Sequence, residues 1–305
     1  MIKKEKTIDK TRVIVFLSIF FLSLLFLRAP AKEILQSSAG EAIELTFRAL
    51  EPGEIILATL KENPDVQKVT IRFLGREYLL ENNRGAGPAF ALIGLDLSLK
   101  PRSYLMKITL EKRNGSVEDI WKKISLSARE FPVRKLWVKE EFVTPPPEVQ
   151  ERIQREAEIL EAVYSAPSLE WSGEGEFALP FSGEAANNFG ERRIYNNVPR
   201  SFHSGVDISA PLGAPILASN SGKVVLASDL YFSGKTVIID HGLGLFTFYC
   251  HFSKLEVRRG QQVKKGEVIG LAGATGRATG PHLHWGVKIF ESRVDPFALL
   301  SLTLH

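Results

Sequence analysis

Five of the six histidines in this 305-residue chain fall between positions 203 and 284, in a stretch that otherwise reads as short strands punctuated by glycine. Residues 222–227, 236–240 and 246–251 are runs of four to eight residues rich in β-branched and aromatic side chains, the pattern of half-buried strands. Residues 260–270 carry glycines at their bends, where a strand turns or bulges. The expectation for 170–305 is an antiparallel β domain, and the histidines must be brought together by its strands. His282 and His284 are two apart, so on an extended chain they project from one face. His203 and Asp207 are four apart and share a face on a strand. They would also share one on a helix, but Gly205 and the following Ser209-Ala210-Pro211 disfavour that.

Two imidazoles and a carboxylate, with solvent in the fourth position, are the donor set of a catalytic zinc ion. His-x-His or His-x-x-x-Asp alone is a modest signal; the two together on strands of one domain are a stronger one. The single cysteine, Cys250, excludes an internal disulfide, a cysteine-rich zinc finger and a thiol redox pair, and on a strand it reads as a small buried hydrophobe. Net charge is +4, and Lys3, Lys4, Lys6, Lys10 and Arg12 against Glu5 and Asp9 account for +3 of it. The body of the chain is therefore nearly neutral, which argues against a nucleic-acid partner.

The basic start runs into fifteen uncharged residues, 13–27, followed by Arg28 and the small-x-small Ala29-Pro30-Ala31. This is the form of a signal peptide or of an uncleaved membrane anchor, and residues 1–32 are assigned that role with both fates left open. Either fate leaves 1–12 cytoplasmic and exports the rest to the cell envelope, in contact with the membrane through 13–27 if uncleaved. Residues 33–143 alternate strand patterns such as 42–47, 68–73 and 104–110 with turns at 51–53, 62–65, 82–85 and 113–115. Six or seven strands at that spacing predict a small antiparallel sandwich without His or Cys, read as a spacer or docking domain. Thr144-Pro145-Pro146-Pro147 opens a linker, 144–169. Within it Val149, Ile153, Ala157, Leu160 and Tyr164 at helical spacing predict an amphipathic helix, with Glu148–Arg152 and Glu151–Arg155 pairs on its wet side. The fold class is thus mainly β: an N-terminal β-sandwich, a connector helix and a C-terminal antiparallel β domain.

His203-x-Gly205-x-Asp207, Ala210-Pro211-x-Gly213-x-Pro215-Ile216, Asp240-His241-Gly242-x-Gly244, Tyr249-x-His251 and Gly280-Pro281-His282-Leu283-His284 stand in order along the C-terminal third. With Phe189-Gly190-x-Arg192-Arg193, Asn196 and Asp295-Pro296, this series resembles the M23 metallopeptidases, the lysostaphin/LytM-type peptidoglycan endopeptidases, over roughly residues 177–298. The resemblance implies a zinc peptidase domain. His203, Asp207 and His284 match the family's zinc ligands, and His251 and His282 match its two assisting histidines, with the choice of base between them open. Arg193 and Asn196 match positions near the substrate groove, and His241 matches a structural one. It further implies an exported enzyme that hydrolyses peptide cross-links of peptidoglycan with water activated at one zinc ion per chain.

The sequence also admits a second function class. Some relatives have lost ligands and act as scaffolds or as activators of cell-wall amidases, with the sandwich and helix as surfaces for an envelope partner. Restraint of the enzyme is also open, with Asn196-Asn197 or the helix covering the groove and an amide oxygen in zinc's fourth position.

Overall fold

Val66–Phe73 buries Val66, Val69, Ile71 and Phe73 and leaves the residues between them more exposed, so one face of the strand is committed to a core. In the computed structural model, which describes residues 30–38, 40–81 and 89–304, this strand lies in a four-stranded antiparallel sheet in the order Arg76–Glu81, Val66–Phe73, Ser103–Lys112, Val117–Ser125. A second four-stranded sheet runs Ala31–Ser37, Gly40–Phe47, Ile55–Leu60, Phe90–Gly94. Ile43, Leu45, Val69, Ile71, Ile108 and Leu110 share one core between the two sheets, which is the expected sandwich. The apolar run 13–27 and the turn at 82–85 lie outside the described residues. Among the described residues no helix is long and apolar enough to cross a membrane.

Within the second sheet, Ile55–Leu60 and Phe90–Gly94 are buried on both sides. Ile56, Ala58, Ala91 and Ile93 face the sandwich core. The alternate residues Ile55, Leu57, Phe90 and Leu92 join the core of the C-terminal domain. A strand buried on both faces loses its polar alternation, so Ile55–Leu60 and Phe90–Gly94 read as continuous apolar runs. A buried ionic cluster reinforces the junction, with Arg48 and Arg129 placing Nη2 atoms 2.8 and 2.9 Å from Asp295 Oδ2.

The C-terminal domain is built on a sheet ordered Gly205–Ile208, Leu283–Ile289, Leu245–Phe252, Gly234–Gly242, Gly222–Leu230, Gln262–Val263, with Ser292–Val294 also paired to Leu283–Ile289. Strand alternation divides its faces. Leu283, Trp285, Val287 and Ile289 enter the core shared with the sandwich, and His284, Gly286 and Lys288 occupy the opposite face. Helix α1, Pro147–Ser165, starts with proline in its first turn. It packs Tyr164 edge-on against Phe246 at that opposite face, ring centres 5.3 Å apart. Of its expected ion pairs Glu151–Arg155 forms, at 3.8 Å, while Arg152 pairs forward with Glu156 at 2.6 Å rather than back with Glu148. A short helix α2, Pro296–Leu300, is capped by the Asp295 side chain. Val133–Leu136 pairs in parallel with Arg192–Tyr195, so the segment before the proline linker adds a strand beside the site, the one parallel pairing among the described strands.

Candidate active site

The register of two strands sets the centre of the site. Gly205–Ile208 and Leu283–Ile289 pair antiparallel with Asp207 directly opposite His284 and Gly205 opposite Gly286. A Cβ on Gly205 would run into the Trp285 carbonyl oxygen, so only glycine lets the backbones approach this closely. His203, just before the strand, reaches the same point. His203 Nε2, Asp207 Oδ1 and His284 Nδ1 form a triangle with edges of 2.8, 3.0 and 3.1 Å. The ligand atoms of these three residues form the candidate metal cluster among the described residues.

His203 Nδ1 lies 2.9 Å from the Asn188 carbonyl, which can only accept, so Nδ1 carries the hydrogen and Nε2 turns a lone pair to the cluster. A nitrogen lone pair, a carboxylate oxygen and a second imidazole nitrogen this close repel one another unless a cation lies between them. Ligands of a tetrahedral zinc ion with bonds of about 2.0–2.2 Å stand roughly 3.3 Å apart or slightly more. The triangle is a few tenths of an ångström tighter, and the donor set suits the ion.

The outer carboxylate oxygen is held separately. Arg193 Nη2 donates to Asp207 Oδ2 at 2.6 Å and Asn188 Nδ2 donates to the same atom at 3.0 Å. Asn188 Oδ1 accepts from the Asp207 amide at 3.1 Å. Asn188 therefore orients two of the three cluster residues. It was missed in the sequence, where the only signal is an amide just before Phe189-Gly190.

His251 and His282 flank the cluster with ring centres 4.8 Å apart; the His251 ring lies 6.1 Å from that of His284. Each directs Nδ1 to a backbone carbonyl, Thr275 for His251 and Gly280 for His282, both at 2.8 Å. The remaining Nε2 atoms are thereby the proton-accepting ones. Burial, with the neighbouring His282 and His284, pushes His251 down to about 3. Its backbone sits at φ +69, a left-handed conformation unusual for a non-glycine residue. Thr275 braces the turn: its hydroxyl donates to the Phe252 carbonyl and accepts from the Lys235 amide.

The other expected residues separate. Arg193 sets its guanidinium on Asp207, with Glu191 Oε2 3.6 Å from its Nε. Asn196 is turned away from the cluster: its amide exchanges 3.0 Å bonds with the backbone of Val138 and reaches Glu140. Its oxygen is thus not in a fourth ligand position. His241 is fully buried between the Ser221 carbonyl and the Thr247 hydroxyl, each 2.7 Å away. Cys250 is buried and its thiol is pushed up to about 12 by burial.

Residues 201–296 match the model of peptidase family M23. A Pseudomonas aeruginosa protein whose crystal structure is described as a peptidase M23 superposes with a TM-score of 0.63 at 30% identity, covering 83% of this chain and 95% of that one. The peptidoglycan DD-endopeptidase ShyA of Vibrio cholerae is 43% identical over 101 residues, 33% of this chain and 24% of its own length. The cell division protein DipM of Caulobacter vibrioides is 34% identical over 155 residues, 50% of this chain and 23% of its own length. The chain thus spans about a quarter of the length of these two curated relatives.

Proposed function

The chain belongs to the M23 peptidase family, and on that premise we propose that it is an exported zinc endopeptidase that hydrolyses peptide cross-links of peptidoglycan. The observation that carries this reading is the convergence of His203, Asp207 and His284 on one point, with two further imidazoles beside it. The substrate class extends to this chain what the name of ShyA says of that protein. The basic start and apolar run 13–27 support export to the envelope.

In this proposal His203, Asp207 and His284 hold the zinc. The ion would supply Lewis acidity, polarising the scissile carbonyl and making water acidic enough to attack near neutral pH. Asn188 and Arg193 keep the ligands oriented. His251 and His282, each with Nδ1 donated to a carbonyl, present Nε2 to accept a proton and, once protonated, to donate one to the oxyanion or the leaving amine. The glutamate of HExxH peptidases is absent, and the two imidazoles take its place. The sandwich is read as a spacer or docking domain for an envelope partner. An amidase activator without turnover remains the alternative, and the complete ligand set argues against it.

The test is metal analysis of the purified chain together with mass spectrometry of digested sacculi, before and after chelation and zinc return. The expected result is one zinc per chain, turnover that vanishes and returns with it, and a His251→Ala chain that keeps zinc and loses about 10²–10⁴-fold in rate. Full hydrolysis by metal-stripped protein ends the proposal, and zinc without turnover favours the activator.

A further inference from the structure

Beyond the cluster, the groove continues along the open face of the main sheet to helix α1. On that face Leu283–Ile289 presents His284, Gly286 and Lys288 in succession, opposite Cys250, Phe248 and Phe246 of the neighbouring strand. Gly286 has no side chain and the Phe248 ring lies over it, so the floor between His284 and Lys288 is low and apolar. Leu160 and Tyr164 of α1 wall the far end, and the open cavity between them and the cluster measures about 310 Å³.

The charges along this cavity are all of one sign. Its lining holds Arg193, Arg277, Lys288 and Arg293 and no carboxylate. Arg193 is matched by Asp207. Arg293 is matched by Asp96, through Nε and Nη2 at 3.0 and 2.9 Å. Arg277 lies over the rings of Tyr195 and Phe232, 4.5 and 5.0 Å from their centres. Lys288 differs from the rest. It makes no ion pair among the described residues, and its Nζ is 3.8 Å from the centre of the Tyr164 ring, which holds the ammonium at the groove wall. Burial and the charge of Arg293 push it below the usual lysine range, against the weaker opposing pull of Glu291 and Asp96. A partly buried ammonium without a counter-ion gains when an anion arrives.

We propose that Lys288 is an anion-binding subsite that takes a carboxylate of an acidic peptide lying extended along this face. Four strand positions separate it from His284, roughly 13 Å, the span of about four residues of an extended chain. The subsite selects a peptide whose free carboxylate stands three to four residues from the bond at the metal cluster. It rests on the peptidase reading above and deepens it by naming the substrate's charge and where that charge must lie.

The experiment uses the full zinc-loaded chain and two fluorescent synthetic peptides, identical except that one carries a carboxylate four residues from the susceptible bond and the other the corresponding carboxamide. Affinity is read by anisotropy in the His251→Ala background, and cleavage in the otherwise unchanged chain. The acidic peptide should bind at least about tenfold more tightly. Lys288→Met should remove that preference by weakening the acidic peptide alone, with the urea midpoint checking that the variant folds, and Lys288→Arg should retain it. Equal affinity for the two peptides, no binding of either, or a preference that survives Lys288→Met overturns the subsite. Failure of the zinc-loaded chain to cleave either peptide counts against the peptidase reading instead, and the binding comparison still decides the subsite.

Discussion

Arg193 Nη2 lies 2.6 Å from Asp207 Oδ2, the carboxylate oxygen that is not shared with His203 and His284. A buried guanidinium on the outer oxygen fixes the plane of the carboxylate and leaves Oδ1 to the cluster. Groups that orient a metal ligand in this way contribute about 10–100-fold to metal affinity. Arg193→Ala should therefore weaken zinc binding by about that factor in a chelator competition, and Arg193→Lys, which keeps charge without the planar fork, should lose less. Unchanged affinity in Arg193→Ala would remove the positioning role.

Gly205 faces Gly286 across the strand pair that aligns Asp207 with His284. Gly205→Ala forces a methyl group against the Trp285 carbonyl, and the backbone must give. Overpacking of this kind costs about 1–3 kcal/mol. The expected outcome is a lower urea midpoint together with weaker zinc binding, because separating the strands separates the ligands. A stability loss with metal affinity intact would show that the cluster tolerates the shift.

His241 is pushed down to about 4 from 6.5 by complete burial. Between those values the unfolded chain binds a proton that the native chain does not, so stability rises with pH across the window. Its contribution is complete above about pH 6.5 and is lost as pH falls towards 4, amounting to the order of 3 kcal/mol. His251 and His284 shift in the same direction, so the measurement is a difference: unfolding free energies at pH 4 to 7 for the natural chain and for His241→Gln. The variant should show the shallower slope, and identical slopes would place the effect elsewhere.

Asp295 is buried with Arg48 and Arg129 on Oδ2, while Oδ1 caps Phe297. Asp295→Ala removes one of the two carboxylates that hold Arg48 and Arg129 at the junction of sandwich and peptidase sheet, leaving Glu54 2.6 Å from Arg48 and 3.4 Å from Arg129. With Glu54 still in place, the loss is that of hydrogen bonds to charged groups, about 1.5–3 kcal/mol. Chemical denaturation should show that loss, with Asp295→Asn milder because it keeps the cap acceptor. A loss below about 1 kcal/mol would mean that Glu54 alone satisfies the arginines.

Strand periodicity placed the expected histidines on shared faces, and the family resemblance separated ligands from assisting residues. His282 and His284 share a face because side chains alternate, and that rule holds wherever the strand lies. The sandwich was legible for the same reason in Val66–Phe73, whose partners leave one side wet. Ile55–Leu60 and Phe90–Gly94 hid their role, because strands buried on both faces carry no alternation that names a second partner. Arg193 and Asn196 stood together in the sequence as groove residues. The strand Arg192–Tyr195 and the turn after it send one to Asp207 and the other to Val138.

By itself, the order of residues determined the local matters: which segments extend, which side chains share a strand face, where proline ends one unit and begins a helix. These follow from interactions within a few positions, which any isolated stretch already contains. The tertiary structure alone decided that Asn188 holds both His203 and Asp207, that Val133–Leu136 lines the site, and that Lys288 stands at the end of an apolar floor with no ion pair among the described residues. Those contacts join segments far apart along the chain, and only the packing of the sheets brings them within hydrogen-bonding or electrostatic reach.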